Sequence, residues 1–417
     1  MTIMGLAESV VAPLVRAVAG DIVIEAVEER FARAAWSSVA EPGDGAAGVL
    51  VGALGARAGL EKVISQADPK LLAAELAEVG VTSTADDWVD ALKRWTPRLK
   101  SADVLLSLKQ AARFGASLLV PGDEYWPTAV DDLDIHAPHV LWARGDITRL
   151  GALHRSIALV GARAATGYGE HVTVEASSGL VDRGFAIVSG AAYGIDGIAH
   201  RSALASQGTT IAVLAGGLDR FYPSGHEQLL TRIVDHGVVL AEVPCGTAPT
   251  KWRFLQRNRL IAALGQATVV IEAGWRSGSI NTANHALALG RPVGAVPGPV
   301  TSAASAGCHQ LIRTVATCVT TPEEMAELAE SDHPILFEAP VELPGADSAP
   351  PTPHDFDGTR VRLLDAMADR GGRSADKIAR LSGLAPDRVR AELGLLELEG
   401  LVIERPAGWT KRSPKKT

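Results

Sequence analysis

The feature that most constrains this chain is a series of six short apolar runs between residues 155 and 330, each followed by a longer stretch of helical periodicity. The runs cover 157–160, 186–188, 210–214, 238–241, 268–271 and 292–296. A strand with one face in water alternates polar and apolar residues, whereas a parallel strand covered by helices on both faces reads as a nearly continuous apolar stretch. The pattern predicts an α/β domain with a Rossmann-like, doubly wound, mostly parallel sheet.

On either side the character changes. Residues 1–110 lack alternation and show helical spacings such as Leu71, Leu72, Leu76 and Val79, broken at Gly43, Gly45, Gly59 and Gly80. They read as a small helical domain, SAM-like or helix-hairpin-helix-like. Its glycine turns either grip a DNA backbone or simply close short hairpins. Trp36, Trp88, Trp95, Trp126 and Trp142 are best explained as core filling. The α/β core takes 111–330. Residues 330–357 hold six prolines and seven acids with no Lys or Arg, which marks 331–357 as an extended linker. Beyond it, helical patterns at 360–370, 374–381 and 386–399 precede a hairpin at 401–405 and 408–411. That is the order of a winged helix over 358–412, and a basic tail, 413–417, follows it.

Composition narrows the function. With 40 Lys and Arg against 48 Asp and Glu the net charge is −8, so any nucleic-acid contact must rest on a local basic patch. Cys245, Cys308 and Cys318 form no CxxC. They read as core thiols of a reducing compartment, with neither a disulfide framework nor a metal site. There is no basic, apolar leader and no apolar run of about 20 residues, which leads us to expect a cytoplasmic protein with no membrane segment.

Ligands of an open α/β sheet bind beyond the carboxyl ends of its strands, and the unusual residues fall there. The first run leads into Gly161-Ala162-Arg163 and then Thr166-Gly167-Tyr168-Gly169, where glycines, free N–H groups at a helix start and a guanidinium suit a phosphate. Ser189-Gly190 ends the second run, with Asp196 and His200 following as a helix cap or an acid–base pair. The densest cluster is Lys251, Arg253, Phe254, Arg257, Asn258 and Arg259: cations to track phosphates and a ring to stack on a base. Its alternative is the start of an amphipathic helix facing the core. Ser277, Gly278, Ser279 and Asn281 offer small polar groups to an anion at another helix start. The Gly161–Gly169 turn lacks the GxGxxG spacing of a dinucleotide site, and GxxxxGK[ST], GxSxG and HExxH motifs are missing, so we expect no catalytic residue, no cofactor and no enzymatic turnover.

Taken in order, PGDEYWPTAVDDL near 121, GAR at 161, VSGAAYGIDGIAH at 188, TIAVLAGGLDRFYP at 210, FLQRNRLIA at 254, SGSINTA at 277 and AVPGPV at 295 resemble the DNA-processing protein A family (DprA, also called Smf). The resemblance implies a single-stranded DNA-binding homodimer that hands the strand to the RecA recombinase in natural transformation. It also implies that Arg163 grips phosphate, that Lys251 and Phe254 are the family's lysine and stacking aromatic, and that Arg257, Asn258 and Arg259 form its RNR element. Two other classes stay open. One is a nucleoside-monophosphate phosphoribohydrolase-like enzyme, whose PGGxGTxxE glutamate is missing from SGSINTANHAL. The other is a nucleotide-sensing regulator with a DNA-reading winged helix.

Overall fold

The computed structural model describes residues 2–20, 22–330, 358–368 and 371–412. They fall into two compact units, one built on Gln110–Pro249 and the described residues from Arg253 to 330, the other on the N-terminal 109 residues, 250–252 and the described residues from 358 onward. The linker 331–357 and the tail 413–417 lie outside the described residues.

The first unit is a nine-stranded sheet made of β1 (Ser117–Leu119), β2 (Leu141–Gly145), β3 (Ser156–Gly161), β4 (Ala186–Ser189), β5 (Thr210–Leu214), β6 (Val238–Ala241), β7 (Ala267–Glu272), β8 (Val293–Ala295) and β9 (Thr317–Cys318). Their order across the sheet is β9-β8-β7-β3-β4-β5-β6-β2-β1. Pairing is parallel from β9 through to β6 and antiparallel at β6–β2 and β2–β1. The six apolar runs became β3 to β8. Successive residues of β3 divide between the two faces. Ala158 and Val160 join a core with Val188, Ile211, Leu260 and Val270, while Ile157 and Leu159 join one with Leu180, Ile187, Ile195 and Val269. Helices cover both faces, which is why alternation is missing from the sequence.

Strand β3 pairs with β4 on one side and β7 on the other. The chain winds outward from β3 to β6, then returns across the sheet to β7. The gap between the ends of β3 and β7 is therefore the topological switch point, where a doubly wound sheet opens a crevice.

In the second unit, Trp36, Trp88 and Trp95 are buried, and Trp36 meets Trp95 edge-on with centroids 5.2 Å apart. Both ring N–H groups are satisfied, by the Ala56 carbonyl at 2.9 Å and the Asp44 carboxylate at 2.9 Å. Trp126 and Trp142 are buried in the first unit, so all five fill cores as expected. Thr359–Ala366, Ala375–Ser382 and Pro386–Leu398 with the hairpin Val402–Arg405 and Gly408–Lys411 form the winged helix around Leu363, Ile378, Val389, Leu393 and Leu396. It packs within the same unit as the N-terminal helices, where Lys93 pairs with Asp387 at 2.7 Å.

One expectation fails for the cysteines: Cys245 and Cys308 are buried, but Cys318 is exposed. The short edge strand β9 turns both of its residues to solvent. Among the described residues, no helix is long and apolar enough to cross a membrane, and no cluster of three His, Cys, Asp or Glu side chains is poised for a metal.

Candidate nucleic-acid interface

Two helices begin at the switch point, Gly167–Asp182 after β3 and Gly278–Ala288 after β7. Each would normally present unpaired N–H groups and the positive end of its dipole. The first is already answered from within. Glu272, at the end of β7, sends its carboxylate across to accept from the Thr166 backbone N–H at 2.9 Å and its hydroxyl at 2.8 Å. The residue is 2% exposed. A Cβ on Gly169 would stand 2.5 Å from the Glu272 Oε2, so the glycine is needed for the carboxylate to enter. Of the donors expected in the Thr166–Gly169 turn, Thr166 thus gives its N–H and hydroxyl to a side-chain anion and Gly169 its N–H to the Thr166 hydroxyl, while Gly167 and Tyr168 are exposed.

The second helix start is open. Ser277 caps it, its Oγ 3.4 Å from the Ser279 N–H and 2.7 Å from the Ser279 hydroxyl. A Cβ built on Gly278 meets nothing within 4 Å. Asn258 donates from Nδ2 to the Gly278 carbonyl (3.3 Å) and to the Asn281 Oδ1 (3.1 Å), fixing the loop against the helix Lys251–Leu264. Between these elements lies a cleft of about 280 Å³ whose walls include Gly161, Arg163, Asp196, Phe254, Arg257 and Ser277.

Arg163 is exposed, and its guanidinium carbon lies 5.2 Å from the centre of the Phe254 ring. Arg257 approaches the same ring at 5.8 Å. Tyr222 adds a second ring, 5.6 Å from Phe254 and tilted by 54°. Arg257 is 6% exposed, and its Nη1 donates to the Val213 carbonyl at 2.9 Å. Burial pushes it down to about 10, partly offset by Asp196, and it stays charged at neutral pH. Burial raises Asp196 above the usual carboxylate range against the pull of Arg257 and of the Ala192 and Gly190 N–H groups. Those groups lie 3.4 and 3.2 Å from its Oδ2.

The remaining residues singled out in the sequence are separated by the fold. Gly190 sits against the Arg257 guanidinium, and Ser189 is buried with its hydroxyl on the Leu159 carbonyl at 2.7 Å. His200 is buried outside the cleft wall, its Nδ1 2.7 Å from the Thr210 hydroxyl, and burial holds it down to about 3. The acid–base reading of Asp196 with His200 therefore has no shared opening onto a ligand. The cationic cluster is divided too. Lys251 is exposed at the helix start. Arg253 donates to the Ala248 carbonyl at 2.8 Å. Arg259 forms a two-pronged pair with Glu242 at 2.6 and 2.7 Å and also donates to the His136 carbonyl. Arg253 and Arg259 thus spend hydrogen bonds on the protein's own oxygens. Tyr222 was not singled out, although an aromatic pair follows β5 in the sequence.

A doubly wound sheet with a cleft at its switch point, an aromatic ring beside two guanidiniums and a winged helix is the architecture of a nucleic-acid-handling class of protein, and the comparisons with known proteins agree. Residues 117–330 match the profile of "DNA recombination-mediator protein A", and residues 347–408 match that of the "DprA winged helix domain". The chain is 46% identical over 313 residues to the putative DNA processing protein DprA of Mycobacterium tuberculosis, covering 72% of this chain and 78% of that one. It is 32% identical over 366 residues to the protein Smf of Escherichia coli, covering 80% and 94%. The X-ray structure of DNA processing protein A from Streptococcus pneumoniae superposes with a TM-score of 0.55 at 30% identity, over 72% of this chain and 96% of that one. The chain belongs to the DNA recombination-mediator protein A family, whose named members are DNA-processing proteins.

Proposed function

We propose that the cleft between β3 and β7 holds single-stranded DNA, and that the protein works as a homodimer passing the strand to a RecA-type recombinase without turnover. The observation that carries this reading is the half-buried Phe254 ring with Arg163 at 5.2 Å and Arg257 at 5.8 Å, beside the open helix start at Ser277. A base stacks on the ring, a phosphate meets Arg163 and the Ser277–Ser279 turn, and neither contact reads sequence. Arg257 serves from below by fixing the ring and the local charge. Asn258 and Asn281 shape the loop, and Arg259 holds the helix to Glu242. In the winged helix, Glu392 and Glu399 both pair with Arg360, at 2.7 and 2.6 Å, and Arg390 turns to Asp376 at 2.8 Å. These pairings favour a packing or protein-docking module over a second DNA grip.

The test is an equilibrium titration of single- and double-stranded oligonucleotides across salt, with and without RecA. Single strands should bind preferentially, and neutralising about four phosphates would give a log–log salt slope near −3. RecA assembly on the strand should accelerate when the protein is present. Equal binding of duplex at moderate salt would overturn the cleft assignment.

A further inference from the structure

We propose that a strand leaving the cleft is held by a second, flanking track of rings and guanidiniums that runs from Tyr222 and Phe221 through Arg144 to Phe114 and Arg113. The inference rests on the single-strand reading of the cleft and extends it to a surface that reading does not use.

Tyr222, which touches Phe254 at the cleft, is 50% exposed. Its chain neighbour Phe221 lies under the Arg144 guanidinium, 4.9 Å from ring centre to carbon. Arg144 also reaches 5.8 Å from the Phe114 ring, and Arg113 lies 5.8 Å from that same ring. Each of these rings is within stacking distance of a cation or of another ring, and the chain itself joins Tyr222 at the cleft to Phe221 beside Arg144. Phe114 is 36% exposed and Arg113 is exposed. Arg144 is held in place by donating to the Leu218 carbonyl at 2.8 Å. Asp219, an acid close to Arg144, has its Oδ1 engaged by the Gly246 N–H at 2.7 Å. Single exposed rings are ordinary on protein surfaces. A file of them interleaved with guanidiniums, joined end-on to a strand-binding cleft, is the arrangement that lets successive bases stack while cations follow the phosphates.

Oligothymidines shorter and longer than the cleft separate the two sites. Fluorescence anisotropy should be measured with strands of about 6 and about 20 nucleotides, one near the short end and one beyond the long end of the site sizes typical of stacking grooves. Replacing Arg113 and Phe114 together with Ala should weaken the long strand by about tenfold and leave the short strand within about twofold. Arg163→Ala should weaken both. Photocrosslinking of iodouracil-substituted long strands to the unaltered protein gives an independent readout, with adducts expected at Phe114 only when the strand outruns the cleft. The proposal is overturned if the double variant binds the long strand as the parent does, if it weakens both lengths equally, or if the long strand gives no adducts there. Failure of the unaltered protein to bind either length would instead bring down the cleft reading, and the track with it.

Discussion

Gly190→Ala probes the cleft from beneath. A Cβ at this position would stand 1.6 Å from the Arg257 Nη1 and 2.3 Å from its Cζ. The guanidinium would have to retreat by about 2 Å to regain ordinary contact distance. It cannot do so and keep its 2.9 Å hydrogen bond to the Val213 carbonyl. A buried hydrogen bond to a charged group contributes about 1.5–3 kcal/mol, and displacing the guanidinium from its acceptor leaves a desolvated cation beside Asp196. We expect a loss of about 2–3 kcal/mol, which for a unit of this size lowers Tm by roughly 4–12 °C. Because Arg257 also abuts Phe254, affinity for single strands should fall with it. Thermal unfolding by circular dichroism and anisotropy with oligothymidine read the two effects on one sample. Gly278→Ala is the control, since its Cβ meets no atom within 4 Å and Tm should hold. If Gly190→Ala melts and binds like the parent, Arg257 is not held where its role requires.

Arg163→Ala should reduce the salt slope of single-strand binding by about 0.7. Phe254→Ala should instead cost about 1–3 kcal/mol of affinity with the slope unchanged; a fall in Tm with affinity intact would show that the ring serves only the core. His200 and His285, held by burial to about 3 and about 4 and hence neutral in the fold, tie stability to acid. The unfolded chain takes up their protons near the ordinary histidine value of about 6.5, so stability is full above that pH and drains away as pH falls towards 3. Chemical denaturation at intervals from pH 7 to pH 4 should show this decline, and His200→Asn should flatten it in any variant that remains folded.

The strands β3 to β8 were legible because both faces are covered, so their runs are nearly all apolar, with Thr210 and Thr268 only at their starts. Strands β1, β2 and β9 were not read. The first and last are three and two residues long, and β2 places Arg144 inside an antiparallel edge where periodicity is too short to show. The cationic cluster was visible as composition, but its division was not. Arg253 and Arg257, one helical turn apart, both turn inward, and Arg259 finds Glu242 across 17 residues of chain. Which cations remain for a ligand is decided by partners that only the packed sheet brings near. Thr166 and Glu272 likewise meet across 106 residues of sequence.

That carboxylate changes what the cleft is able to host. An anion built into the chain is not diluted or exchanged as a free ion would be, and it ties the turn after β3 to the end of β7. A dinucleotide brings its phosphates as a tethered pair and would meet like charge at the first helix start. A polymer presents its phosphates singly and in succession, and needs only one open seat at any moment. On the single-strand reading, a crevice that keeps its own carboxylate at one helix start leaves the Ser277 turn as the seat that successive phosphates would share.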